Sequence, residues 1–273
     1  MKTIVKNGML CTESGVYEAD ILIENGVIRE IGTGLAEHES KLGSADAEIE
    51  IVDASGKYVL PGAVDIHTNM DLDVGIARVI DDFYTGTIAA ACGGTTSIVD
   101  HMAFGPKDCS LWHQVREYHK LADGNAVVDY GFHGVFQHVN PQVLEEMGEI
   151  AEKEGITSFK VYMTYGYGLN DKELMQILTQ AKKDGILIAS HCENDGMVNY
   201  YREKFVKEGH TQPRYQPLSR PAETEAEAVN RFLYLAESAG EAPVYVVHLS
   251  SKQGLMEVRR ARRRGQKHFG VET

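Results

Sequence analysis

The sequence predicts an α/β fold, an incomplete TIM-like (β/α)8 barrel with about seven of its strands, accompanied by a small N-terminal β-sandwich segment. Three observations lead there. Strand-like and helix-like patterns alternate from Tyr58 onward, which calls for a parallel sheet with crossover helices. Apolar runs repeatedly close on a histidine, and barrels place their chemistry at such strand C-terminal ends. The first stretch, residues 1–57, lacks the alternation and reads as all-β, so the expected domains are 1–57 and 58–273.

In the N-terminal segment, Ala19 to Ile31 is two short strands around Asn25-Gly26, a dipeptide that tolerates the positive φ angles of a tight hairpin. Glu37 to Glu50 is polar and charged and reads as a loop, after which Ile49 to Val52 returns to a strand. Barrel strands are then expected at roughly 59–68, 95–101, 127–136, 157–165, 186–192, 244–249 and 267–272. Between them, Pro141 leads into a helix over 143–154, Asp171 caps one over 173–183, and Pro221 opens one over 222–239. A closed barrel of this class has eight strands, so the last is expected to be lacking before Thr273.

The first barrel strand organises the rest. In Val59 to Asp71, Val64, Ile66 and Met70 alternate with Asp65, His67 and Asn69, which sends apolar and polar side chains to opposite faces. An isolated His67 would more often be a satisfied core residue than a ligand. Later strands repeat the design, however. Ile186 to His191 and Val244 to His248 each end in a histidine, and Thr157 to Tyr165 buries Lys160 in a β-rich run where an unpaired ammonium is costly. Histidines ending three parallel strands and a lysine in a fourth converge on one mouth, which favours a metal site. His101 and His133 also lie near strand ends and are candidates for lining that mouth, in core or supporting roles rather than direct ligation.

The motifs Pro61-Gly62-Ala63-Val64-Asp65-Ile66-His67, Ala91 to Thr96, Ser158 to Tyr165, His191-Cys192-Glu193-Asn194 and Val247-His248-Leu249-Ser250 resemble, in order and spacing, the cyclic amidohydrolases of the hydantoinase and dihydropyrimidinase family. Asp73 to Arg78, Asp81 to Tyr84 and Asp100-His101-Met102 resemble its D-phenylhydantoinase branch most. The resemblance implies a metal-dependent hydrolase that opens 5-substituted hydantoins or dihydropyrimidines to N-carbamoyl amino acids with a metal-activated water. It also implies His67 as a ligand of a first ion, Lys160 as an N6-carboxylysine bridging two ions, and His191 with His248 on the second. The ions would be zinc, with manganese as an alternative, and Tyr165 would donate its hydroxyl to the developing oxyanion. A small cyclic amide or ureide substrate and a homotetramer are further implications.

Two departures from the family pattern weigh against activity in the chain as it stands. Asn69 takes the place of the family's second histidine, and an amide oxygen is a poorer ligand than imidazole for zinc-like ions. The family's proton-shuttling aspartate would lie beyond Thr273, so no catalytic residue is assigned, and activity is expected to be impaired. Asn69 also keeps open a rival of another class, a catalytically inactive scaffold or assembly protein related to dihydropyrimidinases. Allantoinase or dihydroorotase chemistry is the third reading.

Other features set limits. A net charge of −13 and a pI near 5.3 argue against nucleic-acid and membrane-surface partners. The four cysteines, Cys11, Cys92, Cys109 and Cys192, form no Cys-x-x-Cys pair, and no signal peptide or membrane-spanning run is evident, so a reducing cytoplasm is the expected location. The basic run Arg259 to Arg264 reads as a solvated helix face and is assigned no function. Trp112, His113 and His119 read as packing residues of a helix. Val74 to Tyr84 and Tyr200 to Ser219 read as long connections over the active face.

Overall fold

The computed structural model describes residues 1–41, 49–267 and 269–272, which divide into two compact units, Met1–Ala63 and Val64–Thr273. In the first unit, β1 (Lys2–Thr12), β2 (Gly15–Glu24), β3 (Val27–Gly32) and β4 (Ile49–Asp53) form a sheet in the order β3-β2-β1-β4. The short β5 (Tyr58–Val59) also pairs with β1. Asn25 and Gly26 take φ values of 51° and 77°, so the β2–β3 hairpin closes through the expected turn.

Two readings of this region are corrected. The polar stretch beginning at Glu37 is not all loop, because a helix α1 (Leu35–Lys41) runs into it. Leu35 packs with Ile4 and Leu22 in a small core, and the buried Asp20 carboxylate accepts the Leu35 amide at 3.1 Å, satisfying a donor at the helix start. Residues 42–48 of the same stretch lie outside the described residues. The strand expected over 59–68 is two strands: Val59 belongs to β5 on β1, and the first barrel strand is β6 (Ala63–Thr68). Pro61 has no amide N–H to carry a ladder through the junction.

In the second unit, β6 is followed by β7 (Thr95–His101), β8 (Asp129–Val135), β9 (Ser158–Tyr162), β10 (Leu187–His191), β11 (Val244–Val246) and β12 (Phe269–Val271). They lie side by side in chain order as seven parallel strands curled into part of a barrel. The crossovers are helical: α2 (Phe83–Cys92), α3 (Leu111–Ala122), α4 (Pro141–Glu154), α5 (Asp171–Asp184), α6 (Asp195–Lys207), α7 (Ala222–Ser238) and α8 (Lys252–Arg264). Asn140 accepts the Val143 amide at 2.9 Å with Pro141 at the first turn of α4. Asn170, rather than the expected Asp171, caps α5, accepting from both Lys172 and Glu173. Tyr200 to Ser219 was expected to be a long connection, yet it holds the second half of α6, capped by Asn194, and two 3-10 turns, Pro213–Tyr215 and Pro217–Ser219.

The core lies between the sheet and its helices, where Ile98, Phe159, Val161, Leu174, Ile188, Phe232 and Val244 are fully buried. Each such side chain contributes roughly 1.5–3 kcal/mol through the water it leaves. Gly134 on β8 has no room for a side chain, since a Cβ there would stand 2.1 Å from the Phe159 ring. Val64 and Ile66 on β6 are 60% and 42% exposed, so the apolar face of that strand is not covered by the described residues. Within the basic run, Arg264 stacks 4.0 Å from the Tyr234 ring centroid and Arg262 lies over Phe269, so part of the run braces α8. All four cysteines are free. Among the described residues, no helix is long and apolar enough to cross a membrane.

Candidate active site

Parallel strands deliver their C-terminal ends to one side of the sheet. His67 is the fifth residue of β6, His101 ends β7, His133 lies late in β8, Lys160 is central in β9, and His191 ends β10. His248 follows β11 by two residues, with a φ of 38° that turns the chain out of the strand, and Glu272 follows β12. The structure therefore brings His67, Lys160, His191 and His248 to one mouth. His67 stands 4.5 Å from His101 and 5.6 Å from His248 between ring centroids, and His191 and His248 stand 4.6 Å apart.

Lys160 is the most informative member. It is 1% exposed, and among the described residues its ammonium has no carboxylate or hydrogen-bonding partner, only the Tyr162 ring at 5.4 Å. Burial pulls its pKa down to about 7, against weaker support from Cys192 and Glu272. A strand lysine held in this way is a poor structural cation and a reactive amine.

His191 is oriented from outside the mouth. Its Nε2 is 2.7 Å from Glu193 Oε2, and Arg220 binds the same carboxylate oxygen. Burial would raise the Glu193 pKa, but the hydrogen bond and charge of His191 and the charge of Arg220 hold it below the usual range. A carboxylate only accepts, so His191 Nε2 carries a proton, and in the neutral ring the lone pair is left on Nδ1. That Nδ1 lies 2.9 Å from His248 Nε2. Burial, then the neighbouring His191 and Lys160, push His248 down to about 4, which keeps it neutral.

Asp100 secures the other end of the mouth. Its Oδ2 accepts the Thr68 hydroxyl at 2.6 Å and the Met70 amide at 2.8 Å, which fixes the chain on both sides of Asn69. Burial raises its pKa to about 7 despite those bonds. Asn69 itself is exposed at the end of β6.

Tyr165 has a φ of 71°, places its ring 5.0 Å from that of His191, and lies under the Arg220 guanidinium at 5.2 Å. Burial raises its phenol pKa, so it remains a donor at neutral pH. A cleft of 460 Å³ opens over His191 and His248 and is lined by Tyr165, Glu193 and Arg220 among others. Tyr162, Tyr167 and Phe104 extend an aromatic wall from it, with Tyr167 and Phe104 stacked at 3.8 Å.

The donor set suits divalent ions: imidazoles, a buried amine able to become a carbamate, and a carboxylate. The two imidazole nitrogens are 2.9 Å apart, closer than the roughly 3.3 Å spanned by two nitrogens on one tetrahedral zinc, so they would separate slightly to share an ion. The described residues do not form a ready cage of three or more His, Cys, Asp or Glu donors. Glu272 Oε1 instead engages His67 Nδ1 and accepts the His248 amide at 3.2 Å, while His191 and His248 engage each other. Sequence reasoning missed Glu272, Asp100 and the Glu193–Arg220 pair as site residues. Only the position of Glu272 just past the last strand offered a signal. His113, read as packing in its helix, lines a separate cleft with Asp71, Arg78 and Gln114.

Comparison with known proteins gives the family. Residues 58–267 match the amidohydrolase family model. D-phenylhydantoinase from Escherichia coli O1:K1 / APEC is 48% identical over all of this chain and 57% of its own length. Among solved structures, dihydropyrimidinase from Brevibacillus agri NCHU1002 superposes with a TM-score of 0.91 at 38% identity, covering 100% of this chain and 57% of that one. A D-hydantoinase superposes with a TM-score of 0.92 at 40% identity over the same shares. The chain thus spans little more than half the length of the relatives it matches. It belongs to the amidohydrolase family, alongside the hydantoinases and dihydropyrimidinases.

Proposed function

We propose that this chain carries the metal-binding part of a hydantoinase-type hydrolase, one that opens the cyclic amide of a 5-substituted hydantoin or dihydropyrimidine to an N-carbamoyl amino acid. The observation that carries the proposal is the buried Lys160 amine, without a hydrogen-bonding or ion-pair partner among the described residues, beside the convergent His67, His191 and His248. His67 would hold a first ion, Lys160 as its carbamate would bridge two, and His191 with His248 would hold the second. Zinc is the ion best suited to this set, with manganese as an alternative. Bound ions would supply Lewis acidity, lowering the pKa of a water and polarising the scissile carbonyl.

The chain's own side chains supply the rest. Carboxylation would replace a costly buried ammonium with an anion that bound ions would neutralise, which accounts for a lysine at this depth. Glu193 holds the His191 ring with its proton outward, and Arg220 keeps Glu193 ionised. Tyr165, its phenol pKa raised by burial, would donate to the oxyanion of the opening ring. The aromatic wall of Tyr162, Tyr167 and Phe104 suits an apolar 5-substituent. A homotetramer and a cytoplasmic setting belong to the same proposal.

A scaffolding role is the second reading, and the exposed Asn69 favours it. Metal content separates the two. The chain incubated with zinc and bicarbonate is expected to retain at least one ion after dialysis, with the Lys160→Met variant retaining less. A chain that holds no stoichiometric zinc would favour the scaffold.

A further inference from the structure

We infer that His101 is a metal ligand in this chain, supplying through Nε2 the imidazole that Asn69 lacks. The inference rests on the reading of the mouth as a metal centre. It adds a residue on a neighbouring strand to that centre.

Asn69 is exposed, and among the described residues its side chain makes no hydrogen bond to His67 or to any other member of the mouth. The neighbouring strand offers what is missing. His101 ends β7, is 3% exposed, and places its ring 4.5 Å from that of His67 at an interplanar angle of 54°. Its Nδ1 lies 3.2 Å from the Thr68 carbonyl oxygen. A carbonyl only accepts, so Nδ1 carries the proton and the lone pair is left on Nε2. An imidazole that gives one N–H to a backbone carbonyl and keeps the other nitrogen bare has the orientation typical of a metal-bound histidine.

The supporting frame is specific to this ring. The Thr68 carbonyl that fixes it is itself positioned by Asp100, which holds the Thr68 hydroxyl and the Met70 amide on either side of Asn69. His133, the other histidine beside it, has no nitrogen to spare. Its Nε2 lies 2.9 Å from the Ile66 carbonyl oxygen and its Nδ1 lies 2.5 Å from the Ser158 hydroxyl. Of the two extra histidines, only His101 has a nitrogen uncommitted among the described residues. The ring-to-ring distance to His67 lets both serve one ion.

Cobalt(II) binding to the full chain in bicarbonate tests this, because cobalt reports its ligands in its visible spectrum. His101→Gln is expected to weaken one cobalt site by roughly 10–100-fold and change its spectrum. Adding Asn69→His to that variant should restore the affinity. His191→Ala, which removes a ligand of the underlying reading, is expected to lose an ion independently. Wild-type affinity and spectrum in His101→Gln, with loss in His191→Ala, would overturn the role of His101 and leave the metal centre standing. No cobalt bound by the unaltered chain would overturn both. Should His101→Gln fail to fold, nitrogen NMR of histidine-labelled, unaltered protein decides. Zinc should move the His101 Nε2 resonance into the metal-bound range, and an unmoved resonance would refute the assignment.

Discussion

The Asp100 carboxylate accepts the Thr68 hydroxyl at 2.6 Å in the buried space between the first two barrel strands, and through it the end of β6 is held against β7. Thr68→Val keeps the shape but removes the donor. We expect a loss of about 1–3 kcal/mol in denaturant unfolding, because a buried acceptor is left short of a partner. Metal affinity should fall with it, since the His67 backbone is tied to the same anchor.

Lys160→Met is expected to act in opposite directions on stability and binding. With no metal and no bicarbonate, replacing a buried amine that lacks a hydrogen-bonding partner among the described residues by a thioether should stabilise the fold by roughly 1–3 kcal/mol. With zinc and bicarbonate present, the unaltered chain should gain stability by ligand linkage and the variant should gain far less. Thermal melts under the two conditions make the comparison.

Gly134→Ala should be among the most damaging small substitutions. The added methyl would fall 2.1 Å from the ring of Phe159, which is fully buried and has nowhere to retreat. A loss of about 1–3 kcal/mol or more is expected, readable as a lower denaturant midpoint.

A pH effect is expected in the N-terminal unit. Hydrogen bonds from the Ser55 hydroxyl, the Asn7 side chain and the Ser55 amide hold Asp53 down from 3.8 to about 2. A carboxylate depressed on folding stabilises above its unfolded pKa and loses that contribution as pH falls toward the folded one. The melting temperature of Asp53→Asn should therefore lie below that of the unaltered chain at pH 6, and the gap should close by about pH 2.

What could be read from the sequence followed from local pattern. His67, His191 and His248 mark the ends of alternating or apolar runs, and Lys160 interrupts one, so parallel topology alone sends them to a common mouth. The partners that tune them were not legible, because they are brought in by tertiary structure. Glu272 is 205 residues from His67, and Arg220 is 27 from Glu193. Apart from the place of Glu272 just past the last strand, nothing local distinguishes these side chains from ordinary surface charges. The second half of α6 was hidden for another reason: Val198 is the only fully buried residue described in that helix, so little apolar periodicity marks it. The boundary between β5 and β6 was obscured because apolar residues run across Pro61-Gly62 from one sheet into the other.

The most direct measurement is carbon-13 NMR of the chain incubated with labelled bicarbonate and zinc. A carbamate resonance that appears in the unaltered protein and is absent from Lys160→Met is the expected result. It would place the carboxylated amine among the three histidines, where the metal centre needs it. A zinc-saturated chain without any carbamate resonance would contradict the bridging role of Lys160 and the proposed hydrolase with it.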